Sequence, residues 1–124
     1  MAPLLVETVT GSPMDELLAA RDASHGADMV EFRLDGVAGI DVAGALKNRA
    51  QPVIVTCRAR WEGGRFDGSE EERQRILDAA LRQGAEYVDI EWRAGFDSLI
   101  RETAGRRIVV SSHEFEQVPS DLAD

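Results

Sequence analysis

Short apolar runs alternate with helix-forming segments along the whole chain, and this alternation limits the fold more than any other feature. Leu4 to Val9 reads as a strand. Ser12 then fits an N-cap, with Pro13 at the first helical position and Asp15 three residues after the cap; the helix runs to about Ser24 and Gly26 ends it. Met29 to Leu34 is a second strand, and Asp41 to Arg49 a short helix interrupted by Gly44. Pro52 to Cys57, rich in valine and isoleucine, is a third strand, followed by a glycine-bearing loop from Trp61 to Gly68. Ser69 and Glu72 have capping-box spacing ahead of an amphipathic helix that runs to about Gln83 and stops at Gly84. Glu86 to Trp92 is the fourth strand, Phe96 to Thr103 a weaker helix, and Arg107 to Ser112 the fifth strand. Pro119 to Asp124 has the character of a first helical turn.

A strand followed by a helix, repeated in this way, predicts a parallel sheet with right-handed crossovers. No low-complexity stretch or linker divides the 124 residues, so they are expected to belong to one domain.

The strands themselves carry charge where a buried parallel sheet should be almost continuously apolar. In the second, Val30, Phe32 and Leu34 share one face, and Glu31, Arg33 and Asp35 the other. In the fourth, Val88, Ile90 and Trp92 alternate with Asp89 and Glu91. Arg58 ends the third strand in step with Thr56, and His113 ends the fifth in step with Ser111 and Val109. An antiparallel sheet with one solvated face would produce such a pattern, but the intervening helices argue against it. A barrel accounts for it differently: apolar faces meet the helices, and charged side chains point inward near the strand C-termini, where barrel active sites lie. Buried charge is costly unless paired, so these positions read either as a polar site or as structural ion pairs.

Composition narrows the function. The net charge of -9 disfavours nucleic acid or an anionic membrane as a partner. The lone cysteine, Cys57, can form no internal disulfide, which fits a cytoplasmic location. No apolar run approaches the ~20 residues of a membrane span, and Met1 to Thr10 lacks the basic start of a signal peptide. His25, His113 and Cys57 are too scattered to suggest a metal site. No glycine loop suited to phosphate is present.

Four segments together resemble one known family. They are Val30-Glu31-Phe32-Arg33-Leu34-Asp35, Pro52 to Arg58 followed by Glu62-Gly63-Gly64, Val88-Asp89-Ile90-Glu91, and Ser111-Ser112-His113-Glu114-Phe115 with Pro119. Their order and spacing are similar to those of type I 3-dehydroquinate dehydratase. The resemblance implies a (β/α)8 barrel, of which this chain holds about the first five β/α units. It implies a lyase of the shikimate pathway that converts 3-dehydroquinate to 3-dehydroshikimate without metal or nucleotide cofactor. In that chemistry a sixth-strand lysine forms a Schiff base with the substrate ketone, and a histidine removes the neighbouring proton. By the same resemblance His113 is that histidine and Glu62 the carboxylate that orients it. The resemblance further implies that Glu31 and Arg33 hold substrate hydroxyls, that Arg58 binds substrate and that Thr8 stands for a first-strand hydroxyl residue; Asp35, Asp89 and Glu91 are expected to support these groups.

The chemistry suits those residue types. Histidine titrates near neutrality, as a base acting beside a ketone should, and arginine pairs with a substrate carboxylate. The only lysine, Lys47, falls between the second and third strands, on an expected outer helix. The chain alone is therefore expected to be inactive, and to self-associate as a dimer through its unpaired strand edges. A non-catalytic half-barrel that self-associates or binds a small carboxylate is the alternative.

Overall fold

A computed structural model describes residues 5–103 and 105–111. Five strands form one sheet: β1 (Val6–Val9), β2 (Met29–Arg33), β3 (Val53–Thr56), β4 (Tyr87–Glu91) and β5 (Ile108–Ser111). Four helices connect them: α1 (Met14–Ala23), α2 (Val42–Leu46), α3 (Glu70–Arg82) and α4 (Asp97–Thr103). A short 3-10 turn, Arg60–Glu62, precedes α3. Every neighbouring pair is parallel, and spatial order follows chain order from β1 to β5. A doubly wound sheet reverses its strand order at a switch point; this one does not, as in the wall of a (β/α) barrel.

Strand parity sets the two faces. Val30, Phe32, Leu34, Val53, Val55, Cys57, Val88 and Ile90 are all buried, packed with Leu17, Leu77, Ala80 and Leu99 of the helices. Full burial of each large apolar side chain contributes roughly 1.5–3 kcal/mol, so this layer holds the sheet to its helices. The opposite face carries Glu31, Arg33, Thr56 and Asp89. No helix among the described residues is long and apolar enough to cross a membrane.

Local signals succeed where nothing competes with them. Ser69 accepts a hydrogen bond from the Glu72 amide while the Glu72 side chain accepts one from the Ser69 amide, forming the expected capping box. Ser12, by contrast, is not a cap. Pro13 occupies that position with extended backbone, because Ser12 and Pro13 are drawn into a bridge with Ala38 beyond β2. The Glu16 carboxylate reaches back to the Ser12 amide instead. The second helix ends at Leu46, short of Arg49: Lys47 has extended backbone and Asn48 is left-handed at φ 61°. Trp92 does not share the apolar face of β4. It lies one residue past the strand and is 72% exposed. His113 and the expected helix start at Pro119 lie outside the described residues.

The capping box gives a direct test. Ser69→Ala is expected to lower stability by about 1 kcal/mol, read as a reduced urea midpoint at unchanged slope.

Candidate active site

The polar side chains gather at the C-terminal ends of β1 to β5. Glu31 on β2 stands between two hydroxyls: Thr8 on β1 donates to Oε1 at 2.9 Å and Thr56 on β3 donates to Oε2 at 2.6 Å. The register places Thr8 directly opposite Glu31, while Thr56 lies opposite Arg33 and reaches Glu31 diagonally. Arg33 is clamped by Asp35 through Nε and Nη2, both at 3.0 Å. Its guanidinium is held more firmly protonated than usual by the Asp35 bond, with Glu31 and Asp89 adding attraction against the cost of burial.

Asp35 shows how the balance of effects falls. Burial alone would raise its pKa, but the Arg33 bond and the backbone N–H groups of Arg58 and Arg65 outweigh it. The carboxyl is held below the usual carboxylate range.

Arg58 follows β3 and is buried. Its Nη1 donates to Asp89 Oδ1 at 2.8 Å, to Glu91 Oε2 at 3.1 Å and to Ser111 Oγ at 2.7 Å. All three acceptors converge on one nitrogen. Among the described residues, Nε and Nη2 carry no hydrogen bond, which leaves the donor edge suited to a two-point grip on a carboxylate. Ser111 in turn donates to Asp89 at 2.6 Å, so β3, β4 and β5 meet at this point.

The loop after Arg58 depends on its two glycines. Gly63 is left-handed at φ 82° and caps the Arg60–Glu62 turn. Gly64 lies so close that an added Cβ would stand 2.1 Å from the Arg58 carbonyl oxygen. This approach brings Glu62, buried at 3% exposure, beside the strand ends.

Arg73 was not foreseen. The run from Glu70 to Arg75 reads as a solvated helix face with i,i+4 pairs, yet Arg73 is fully buried. It donates to Glu91 Oε1 at 2.7 Å and to the Cys57 carbonyl at 2.9 Å, and pairs with Glu70 three residues earlier. The missed signal is helical phase: Leu77, Ala80 and Leu81 lie four, seven and eight residues on, so Arg73 shares their buried stripe. Arg60, in the turn after β3, is exposed and paired with Asp67. Cys57 packs in the core, and burial pushes its thiol up to about 12, away from reactivity.

The other end of the sheet has a different character. There Arg21, Arg49 and Arg107 donate chiefly to backbone carbonyls at the ends of α2 and α3. Ala45, Leu46 and Leu81 stand in the last turns of these helices, where carbonyls run short of helical partners, and Lys47, Gly84 and Ala85 follow them. Lys47 lies at this end, exposed, ahead of β3.

Because the Asp35 pKa is lower folded than unfolded, its stabilising contribution is present above the ordinary carboxylate range and is lost as pH falls through the folded value. Stability should therefore drop below about pH 4, and Asp35→Asn should be less stable near neutrality with a shallower acid limb. Urea midpoints measured across that range check this; parallel acid limbs in both proteins would contradict it.

Comparison with known proteins agrees with this fold. The model of the type I 3-dehydroquinase family matches residues 6–123. A 3-dehydroquinate dehydratase from Methanothermobacter thermautotrophicus is 39% identical over 106 residues, covering 82% of this chain and 48% of that protein. One from Desulfotalea psychrophila is 37% identical over 112 residues, covering 86% and 50%. The crystal structure of 3-dehydroquinate dehydratase from Geobacillus kaustophilus superposes with a TM-score of 0.85 at 27% identity, covering 99% of this chain and 55% of that one. The chain thus spans about half the length of these relatives, and its five parallel strands are the corresponding part of a (β/α)8 barrel. By sequence and by fold, the chain belongs to the type I 3-dehydroquinase family.

Proposed function

We propose that residues 1–124 are part of a single barrel domain of a type I 3-dehydroquinate dehydratase, a hydro-lyase converting 3-dehydroquinate to 3-dehydroshikimate in the shikimate pathway. The observation that carries this reading is the state of Arg58, held through Nη1 alone among the described residues, at the strand C-termini that also carry Glu31 and Arg33. Arg58 binds the substrate, and its Nε and Nη2, which carry no hydrogen bond among the described residues, suit a carboxylate. Glu31, Arg33 and Thr8 face the substrate hydroxyls. Asp35 fixes Arg33, while Asp89 and Glu91 fix Arg58.

The reaction removes a proton from the carbon next to the ketone and a hydroxyl from the carbon beyond it. One C–H and one C–O bond break, one C=C bond forms, and water leaves. His113 takes the proton and returns it to the departing hydroxyl, and Glu62 orients the ring. The electron pair needs a sink, which an iminium on a lysine supplies. No metal or nucleotide takes part. We place the enzyme in the cytoplasm, with no nucleic-acid or membrane partner.

Among these 124 residues the one lysine, Lys47, stands at the far end of β3 from Arg58. We therefore propose that the chain by itself forms no Schiff base. The same observation favours a second reading, a small-carboxylate-binding module without chemistry. Borohydride reduction with 3-dehydroquinate, followed by intact mass, separates the two. The isolated chain should trap nothing. A barrel completed with the C-terminal half of a full-length relative should trap one adduct; no adduct there would favour the binding module. In that completed barrel His113→Ala should still trap it while turnover falls about 10²–10⁴-fold, and Glu62→Ala should lose less. An adduct on Lys47 of the isolated chain, or near-normal turnover in His113→Ala, would refute the assignment.

The isolated chain should also be a homo-oligomer, with a dimer expected. Val109 and Val110 on edge strand β5 and Val6 on edge strand β1 are exposed, and unpaired edges template association. Sedimentation showing a compact monomer at micromolar concentration would contradict this.

A further inference from the structure

We propose that Arg73 is a positioning residue that keeps the ligand-facing edge of Arg58 open; the inference rests on the reading of Arg58 as the substrate-binding arginine. Glu91 is buried between two guanidinium groups, and its two oxygens are divided between them. Oε1 accepts from Arg73 at 2.7 Å, while Oε2 accepts from Arg58 at 3.1 Å and from the Ala59 amide at 3.4 Å. A carboxylate and a guanidinium left to themselves form a two-point pair. If Oε1 were released, Glu91 could turn both oxygens toward Arg58 and occupy Nη2 as well as Nη1. That would close the edge a substrate carboxylate needs. Arg73 prevents this by holding Oε1.

Arg73 is itself firmly fixed. Its Nε and Nη2 pair with the two oxygens of Glu70 at 2.7 and 2.8 Å, and Nη1 also donates to the Cys57 carbonyl at 2.9 Å. Its guanidinium carbon lies 4.9 Å from the Phe96 ring centroid and 5.8 Å from that of Trp61. The charges alternate through the sequence Asp89, Arg58, Glu91, Arg73, Glu70, beginning on the inner face and ending on exposed helix surface. Trp61 belongs to the turn that carries Glu62, so one side chain of α3 braces both the Arg58 and Glu62 segments.

The test is side-chain NMR of the full 124-residue chain with labelled arginine, the Arg58 signals being assigned by Arg58→Lys. In the wild type, Nη1 and Nη2 of Arg58 should give separate signals, because one is held and the other is not. In Arg73→Met the Nη2 signal should shift toward that of a bonded group as Glu91 takes both nitrogens. Arg73→Lys should restore the wild-type pattern in part, since an ammonium can still hold Oε1. Circular dichroism establishes which variants are folded. If Arg73→Met fails to fold, Arg73→Lys and Glu70→Gln carry the test, each expected to give an intermediate Nη2 shift. Unchanged Arg58 signals in every folded variant would overturn the proposal. The readout needs no substrate, so it stands or falls separately from the dehydratase assay.

Discussion

Glu91 is a carboxylate with 1% exposure, and the C-terminal end of the sheet is arranged around the cost of burying it. An ionised group removed from water must find opposite charge and hydrogen bonds together, or it becomes the most destabilising feature of the core. Here two arginines from different layers supply both. Arg58 comes from the end of β3 and Arg73 from the first turns of α3. Joining a strand end to a helix start fixes where the helix sits on the sheet, and thereby the loop between them. Gly64 is needed because that loop passes directly over the Arg58 backbone, and Gly63 because its backbone is left-handed.

The two ends of the sheet use the same residue type for different purposes. At the N-terminal end, arginines donate to backbone carbonyls at and just past helix ends, a role that stabilises. At the C-terminal end, arginines face carboxylates and a hydroxyl, and Nε and Nη2 of Arg58 carry no hydrogen bond among the described residues. This division matches the general behaviour of β/α barrels, where one end serves stability and the other chemistry. Sheet parity decides which side chains take part. Register then links Thr8 to Glu31 and Thr56 to Glu31 across three strands.

Much of this was legible in the sequence because period and parity are local properties. Glu31, Arg33, Arg58 and Asp89 alternate with apolar residues, and that alternation gave both their face and their end of the sheet. The Ser69–Glu72 spacing gave the start of α3 for the same reason. What was not legible depended on contacts distant in sequence. Ser12 lost its capping role to a bridge with Ala38, on the far side of β2. Trp92 extends the parity of β4, but the strand ends at Glu91, where the Ala94 amide turns back to the Glu91 carbonyl. Arg73 was obscured by its neighbours: five charges in six positions hide which one shares a stripe with Leu77 and Leu81. His113, the residue on which the proposed chemistry turns, was read from its parity with Ser111 and from sequence resemblance, and lies outside the described residues.

The central claim is that the polar ends of β1 to β5 form a ligand site and not a set of structural ion pairs. Titrating the labelled chain with 3-dehydroquinate, followed by backbone amide NMR, tests it most directly. The amides of Glu31, Arg33, Arg58 and Ser111 should shift in a saturable way, while those of Lys47, Arg49 and Glu86 at the opposite end should not. A titration that leaves the first group unmoved, or that moves only the second, would contradict the account.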